Sequence, residues 1–276
     1  MGVCQFCGQR AGWFRSAHKE CRQQNAVGQS AVLAAVGKSI SGTEPLDSTD
    51  AAIQTMAEKY RLTQLQIHDQ AAHAWERQVV DLLDAGPISE GAEHRLMAIA
   101  KKFDLGQHDL DRHQAFTRLA KSAVLRDVTS GVISQRYQVE GALPFNFLKN
   151  EKLVWAFSNT KYLEDKVRRE FVGRSSGVSV RIAKGVYYRA GAFKGRPVEH
   201  TQRVLVDSGV LAITNLHLYF AGQAKKFRIP YKKIVSFEHY SDGIGVMRDA
   251  STAKAQIFVT GDGWFTGNLV TNLAQL

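Results

Sequence analysis

Four residues near the amino terminus, Cys4, Cys7, His18 and Cys21, follow the spacing C-x2-C-x10-H-x2-C and include every cysteine of the 276-residue chain. A CxxC turn sets two sulfurs on one side of a metal, about 2.3 Å from it, and a second pair of ligands closes a tetrahedral shell. So short a segment cannot bury enough apolar surface to fold unaided, and a metal takes the place of a core. The pattern predicts a zinc-binding knob over residues 1–25, with Trp13 and Phe14, midway between the ligand pairs, capping it. A redox CxxC would need a βαβ setting, and a disulfide scheme would leave an odd thiol. Because four protein ligands leave no position open for a catalytic water, the Zn2+ is expected to be structural.

The formal charge of +10 is unevenly spread. Residues 1–25 carry four Lys/Arg against one acid, residues 26–144 twelve against fifteen, and residues 145–276 twenty against ten. An anionic partner is therefore to be sought at the two ends of the chain. No basic-then-apolar signal stretch precedes Cys4, and the longest apolar run, 31–36, is far below the ~20 residues of a membrane span. The expectation is a soluble, cytoplasmic protein, peripheral at a membrane if it meets one, whose thiols stay reduced and available to metal.

After a linker or helix extension at 26–48, a helical domain is expected over 49–142. Apolar residues recur at three- and four-residue spacing, in the stripes Ile53, Met56, Ala57, Tyr60 and Leu96, Ile99, Ala100, Phe103. The stripes align at an offset of 43, AEKYRL (57–62) against AKKFDL (100–105), and LDAGPIS (83–89) matches VTSGVIS (128–134) at 45. Two helix pairs related by duplication follow, each ending in a Gly-x-Ile-Ser turn. The turns are similar to the second half of an EF-hand loop, but calcium needs oxygen ligands at alternating positions before the Gly. Those positions hold Asp81, Leu83 and Ala85 in one copy and Arg126, Val128 and Ser130 in the other, so calcium binding is not expected. Ser89 is instead expected to cap the next helix. His68, His73, His94, His108 and His113 lack the i, i+4 spacing of a helical metal pair.

From Pro144 onward the periodicity switches to two. Strands are expected at 152–157, 178–182, 186–188, 203–206, 210–214, 217–220, 227–229, 234–239, 245–247 and 256–259, divided by Gly, Asn and Asp turns. An amphipathic helix over 264–276 would set Leu269, Val270, Leu273 and Leu276 against the sheet. The overall class is α+β multidomain: a zinc knob, a duplicated helical middle, and an antiparallel β-barrel over 145–276 capped by a helix. Basic residues mark two candidate ligand-binding segments of the β domain. Arg189, Lys194 and Arg196 are placed on a loop, and Lys225, Lys226 and Arg228 on a hairpin.

Three resemblances bear on these segments. The knob resembles CCHC zinc fingers and zinc ribbons. The Gly-x-Ile-Ser turns followed by helices resemble the TerB-type helical domains of bacterial proteins, over about 50–138. DSGVLAITNLHLYFAG (207–222) followed by FRIPYKKIVSFEHYSDGIGV (227–246) resembles GRAM and bacterial pleckstrin-homology (PH)-like domains. In that pattern Gly209 permits a turn, while Leu211, Ile213, Leu218 and Phe220 alternate inward and Ile234 and Phe237 start the next strand. The resemblance implies binding of phosphoinositides, other lipids or peptides, and seldom catalysis.

Gly173-Arg174-Ser175-Ser176-Gly177 satisfies G-x-S-x-G, but a nucleophile elbow needs a strand before the serine and a helix after it. The flanking sequence predicts a Gly-rich β-turn entering a strand. There is no Walker loop, dinucleotide fingerprint or paired-carboxylate signature. The sequence thus points to a non-enzymatic adaptor of bacterial or phage type that binds a protein partner or an anionic lipid surface. The alternative is nucleic-acid binding through Arg10, Arg15, Lys19 and Arg22 of the knob. A hydrolase using Ser175 is the remote one.

Overall fold

A computed structural model describes residues 2–136, 142–183, 186–250 and 254–276, with side chains at all of these except 166–183 and 186–201. The chain divides into two compact units, Met1–Arg136 and Tyr137–Leu276. No helix among the described residues is long and apolar enough to cross a membrane.

The first unit opens with a small hairpin, β1 (Gly2–Val3) and β2 (Arg10–Gly12), and continues as helices α1 (Lys19–Ser41), α2 (Leu46–Tyr60), α3 (Gln64–Ala85), α4 (Glu90–Lys102), α5 (Gln107–Leu110) and α6 (Ala115–Thr129). Their apolar stripes meet in one core around Val32, Val36 and Ile40 of α1, Ile67, Ala71, Trp75 and Val79 of α3, and Leu96 and Ile99 of α4. The fully buried Trp75 indole donates to the Leu96 carbonyl at 2.9 Å, which satisfies its only polar atom. Residues 26–48, expected as a linker or extension, therefore supply a central core helix. Gly28 is required there, because a Cβ would stand 2.3 Å from the Tyr60 Cβ where α1 crosses α2.

The two matched stretches lie in α2–α3 and α4–α6. Their offset grows from 43 to 45 residues between the two matched segments. The two extra residues fall where the counterpart of α3 is broken into α5 and α6 by a 3-10 turn, Arg112–Gln114. His113 and Gln114 take φ of +50° and +62° at that break. Gly86, at φ +135°, follows α3 directly, and Gly131, at φ +75°, follows α6 after the C-cap Ser130. Asp81, Leu83 and Ala85 thus lie on α3 and Arg126 and Val128 on α6, in helix rather than in a ligand loop. Ser89 caps α4, accepting the Ala92 N–H at 3.3 Å. Arg126 and Arg136 both pair with Glu93, at 2.8 and 2.6 Å, and hold Asp127 between them.

The second unit is a seven-stranded antiparallel sheet followed by one helix. Its strands are β3 (Leu153–Ala183), β4 (Val186–Thr214), β5 (His217–Gly222), β6 (Lys226–Pro230), β7 (Ile234–Tyr240), β8 (Gly243–Arg248) and β9 (Gln256–Val259), in the order β6-β5-β4-β3-β9-β8-β7. The first strand pairs with both the second and the last. The ladder does not close into a barrel, and β6 and β7 are its two edges. The five segments expected as separate strands between 152 and 214 merge into β3 and β4. The residues taken as turn formers face one another within the ladder, Gly173 opposite Gly195 and Gly177 opposite Gly191.

Gly209 likewise makes no turn. It lies in β4 opposite Gly222, where a Cβ would stand 2.1 Å from the Ala221 carbonyl oxygen, so glycine is needed for the close approach of β4 and β5. Leu211, Ile213, Leu218 and Phe220 are buried, and Ile234 and Phe237 half-buried. Tyr162, Phe220, Phe227 and Phe258 form one aromatic cluster. Helix α7 (Gly263–Leu273), capped by Asp262 through the Phe265 N–H, packs Phe265 edge-on to Trp155 at 5.0 Å. Leu269, Val270 and Leu273 face the sheet as expected. Leu276 does not, because the helix ends at Leu273 and leaves it 66% exposed.

Candidate metal centre and basic face

Each ligand of the knob is positioned by a separate local feature. Cys4 and Cys7 lie in the turn between β1 and β2, closed by the Cys4 N–H to the Gln9 carbonyl at 2.8 Å and the Gly8 N–H to the Cys4 carbonyl at 2.9 Å. His18 is the N-cap of α1, and Cys21 sits in its first turn. The four ligand atoms lie within 4.8 Å of one another. The His18 Nδ1 is 3.4 Å from the Cys7 Sγ and 3.7 Å from the Cys21 Sγ. A tetrahedral ion with bonds of ~2.3 Å to sulfur and ~2.0 Å to nitrogen requires S···N edges of about 3.5 Å, so the donor set can hold a metal ion.

The surroundings orient the imidazole and set the ligands apart in acidity. The His18 Nε2 is 2.9 Å from the Arg10 carbonyl oxygen, which can only accept, so Nε2 carries a proton and the ring is aimed with Nδ1 toward the sulfurs. That carbonyl, with the Cys7 and Cys4 sulfurs, raises the His18 pKa. Burial pushes the Cys4 thiol up, but backbone N–H groups of His18, Cys7 and Phe6 outweigh it and bring its pKa down to about 6. Burial and the Cys7 and Cys4 sulfurs push Cys21 up to about 11. Three thiols at this spacing cannot all ionise without a cation between them.

Trp13 and Phe14 do not cap the cluster. They stand at the turn after β2, 73% and 100% exposed, and the space over the sulfurs is filled by Ala11, Ala17 and Phe6. Gly2 is held against this turn, where a Cβ would stand 2.1 Å from the Arg15 carbonyl oxygen.

The basic residues of the β unit are drawn together by strand pairing. Residues 166–201 carry nine Lys/Arg against two acids, so +7 of the chain's +10 falls on them. Beyond Asp165 and Arg203, β3 and β4 pair only with each other. Arg189, Lys194 and Arg196 fall on β4, opposite Ser179, Arg174 and Val172, rather than on the expected loop, and their side chains lie outside the described residues. Lys225, Lys226 and Arg228 are exposed on the β5–β6 hairpin. The register places the β5–β6 turn at the end of the sheet from which the 166–201 hairpin leaves, because Gly222 pairs with Gly209 and the Asp207 carboxylate accepts the Ala224 and Lys225 N–H groups. The β8–β9 connection lies at that same end, since Gln256 pairs with Glu164. Arg248 and Lys254, exposed on that connection, thereby join the basic face. No spacing in the sequence marks them; only the register does.

Ser175 lies within β3 opposite Phe193, so the G-x-S-x-G segment is neither the β-turn expected nor a strand-to-helix elbow. Of the five histidines of the helical region, His68 is half-buried and the rest are exposed; His113 pairs with Glu76 at 2.6 Å. The chain matches no family model, no curated protein and no solved structure.

Proposed function

We propose that this chain is a non-enzymatic binding protein in which Cys4, Cys7, His18 and Cys21 hold a structural Zn2+ and a PH/GRAM-like carboxy-terminal domain engages an anionic lipid surface. The observation that carries this reading is the placement of charge: +6 lies on the described residues of one hairpin, and the two connections beside its base add Lys225, Lys226, Arg248 and Lys254. Cations near an acidic membrane contribute ~1 kcal/mol each, so only such a grouping gives useful affinity. The strand order supports the PH-like assignment. A sheet whose first strand pairs with its second and its last, followed by a helix, is what a bent, helix-plugged β domain requires.

Zinc is favoured over other ions by the three sulfurs and one imidazole, a soft donor set suited to closed tetrahedral sites. The fully occupied shell gives the metal a folding role rather than a catalytic one.

The test is flotation of the full chain with acidic and neutral vesicles at rising salt. Binding to acidic vesicles should weaken as the Debye length falls from ~10 to ~3 Å, and Lys194→Glu with Arg196→Glu should weaken it further. Equal binding to both vesicle types, or none to either, rejects the lipid ligand and leaves a protein partner. Salt-sensitive retention on duplex DNA without vesicle binding would assign the basic hairpin to nucleic acid.

A further inference from the structure

Phe14 is wholly exposed and holds φ at +62°, a conformation that costs a residue with a side chain about 1–2 kcal/mol and that glycine adopts freely. A bulky ring kept at such a position contributes nothing to packing. Its use is therefore to be sought outside the chain. Trp13 beside it is 73% exposed, and Val3 of the same knob is 61% exposed. Arg10, Arg15, Lys19 and Arg22 of the same knob are exposed, with no ion pair to any of the four among the described residues, and Glu20 is the only acid of residues 1–25.

We infer that the Trp13–Phe14 turn is a membrane anchor, inserting its two rings at the lipid–water interface of an anionic bilayer while the cations of the same knob meet the headgroups. Trp is favoured at that depth, and an apolar tip on a knob of net positive charge is complementary to an acidic headgroup layer. The ring geometry separates this occupant from single-stranded nucleic acid. The two rings meet edge to face, 6.3 Å apart at 65°, which suits a wedge entering an apolar medium and not a parallel platform for successive bases. The inference rests on the proposed engagement of an anionic lipid surface and adds to it a second contact, on the metal knob.

The test uses the zinc-loaded full chain carrying Trp264→Phe, which removes the other exposed indole and leaves the buried Trp75 and Trp155 as background. Vesicles of phosphatidylcholine and phosphatidylserine with brominated acyl chains should quench Trp13. Phe14→Gly should lower partitioning about tenfold, the effect of withdrawing part of one phenyl ring from an apolar phase. The same variant should retain zinc against a chelator at least as well as the parent, because glycine suits the backbone there. Vesicle binding with no quenching, and undiminished by Phe14→Gly or Trp13→Ala, overturns the anchor and leaves the β-domain reading intact. No vesicle binding by the parent chain overturns both. Quenching by oligothymidine but not by vesicles overturns the anchor in favour of nucleic acid. Loss of zinc in Phe14→Gly would show that the ring serves the knob's own fold, and would also overturn it.

Discussion

Arg61 and Asp104, separated by the 43-residue offset of the internal repeat, end their helices with the same backbone geometry. Their φ values are +53° and +50°, and the leucine after each returns its N–H to an alanine carbonyl: Leu62 to Ala57 and Leu105 to Ala100, both at 2.9 Å. A residue after each leucine then opens the next helix, Thr63 by capping box with Gln66 and Gly106 with Asp109 accepting its N–H. The likeness of the two stretches thus extends to the stop-and-start signals between helices as well as to their apolar faces.

Neither Arg61 nor Asp104 is the residue that this conformation prefers. Replacing either by glycine relieves a left-handed strain of ~1–2 kcal/mol against an unfolded-state entropy cost of ~0.5–1 kcal/mol, for a net gain of about 0.5–1 kcal/mol. Both side chains are exposed, so little else is lost. Urea denaturation of each variant should show a raised midpoint with an unchanged slope. A lowered midpoint would mean that the side chain makes a contact worth more than the strain.

The metal centre should be separable from the helical core. Cys4→Ser is expected to reduce bound zinc from one per chain to almost none and to disorder the β1–β2 knob. Helix α1 should persist, because Val32, Val36 and Ile40 anchor it against α3. Metal analysis checks the first outcome, and an unchanged emission from the buried Trp75 checks the second.

Local signals were legible in the sequence and pairwise ones were not. The clustering of Cys4, Cys7, His18 and Cys21 into a set that could hold a metal ion follows from spacing alone, because a turn and a helix start are each only a few residues long. The β5–β9 strands follow from alternation, and Ser89 from its place before an apolar run. The fate of Trp13 and Phe14 did not follow, since which side chain covers a cluster depends on the path of a turn that Gly12 and Phe14 set with positive φ. The extent of β3 and β4 was hidden by glycines that signal turns in one chain and pair across two. Arg248 and Lys254 carry no pattern of their own and join the basic face only through the pairing of Gln256 with Glu164.

Glu151 is predicted to be a pH-dependent fastener of the β unit. Its wholly buried carboxylate accepts from the Tyr219 hydroxyl at 2.7 Å, the Leu148 N–H at 2.8 Å and the Thr214 hydroxyl, and meets the His217 Nδ1 at 2.9 Å. Burial opposes its ionisation, but the hydroxyl and N–H donors outweigh it and lower its pKa. A lowered folded-state value contributes stability that is complete above the unfolded value, ~4.3, and is lost as pH falls through the folded one. Unfolding midpoints should therefore be insensitive to this group between pH 5 and 7 (about the neutral range) and decline below ~4. Glu151→Gln turns one oxygen into a donor facing donors and should cost about 2–3 kcal/mol at neutral pH while flattening that acid decline. An acid decline as steep in the variant as in the parent would assign it to other carboxylates, with Asp207 of the same unit, whose pKa is also lowered, first among them.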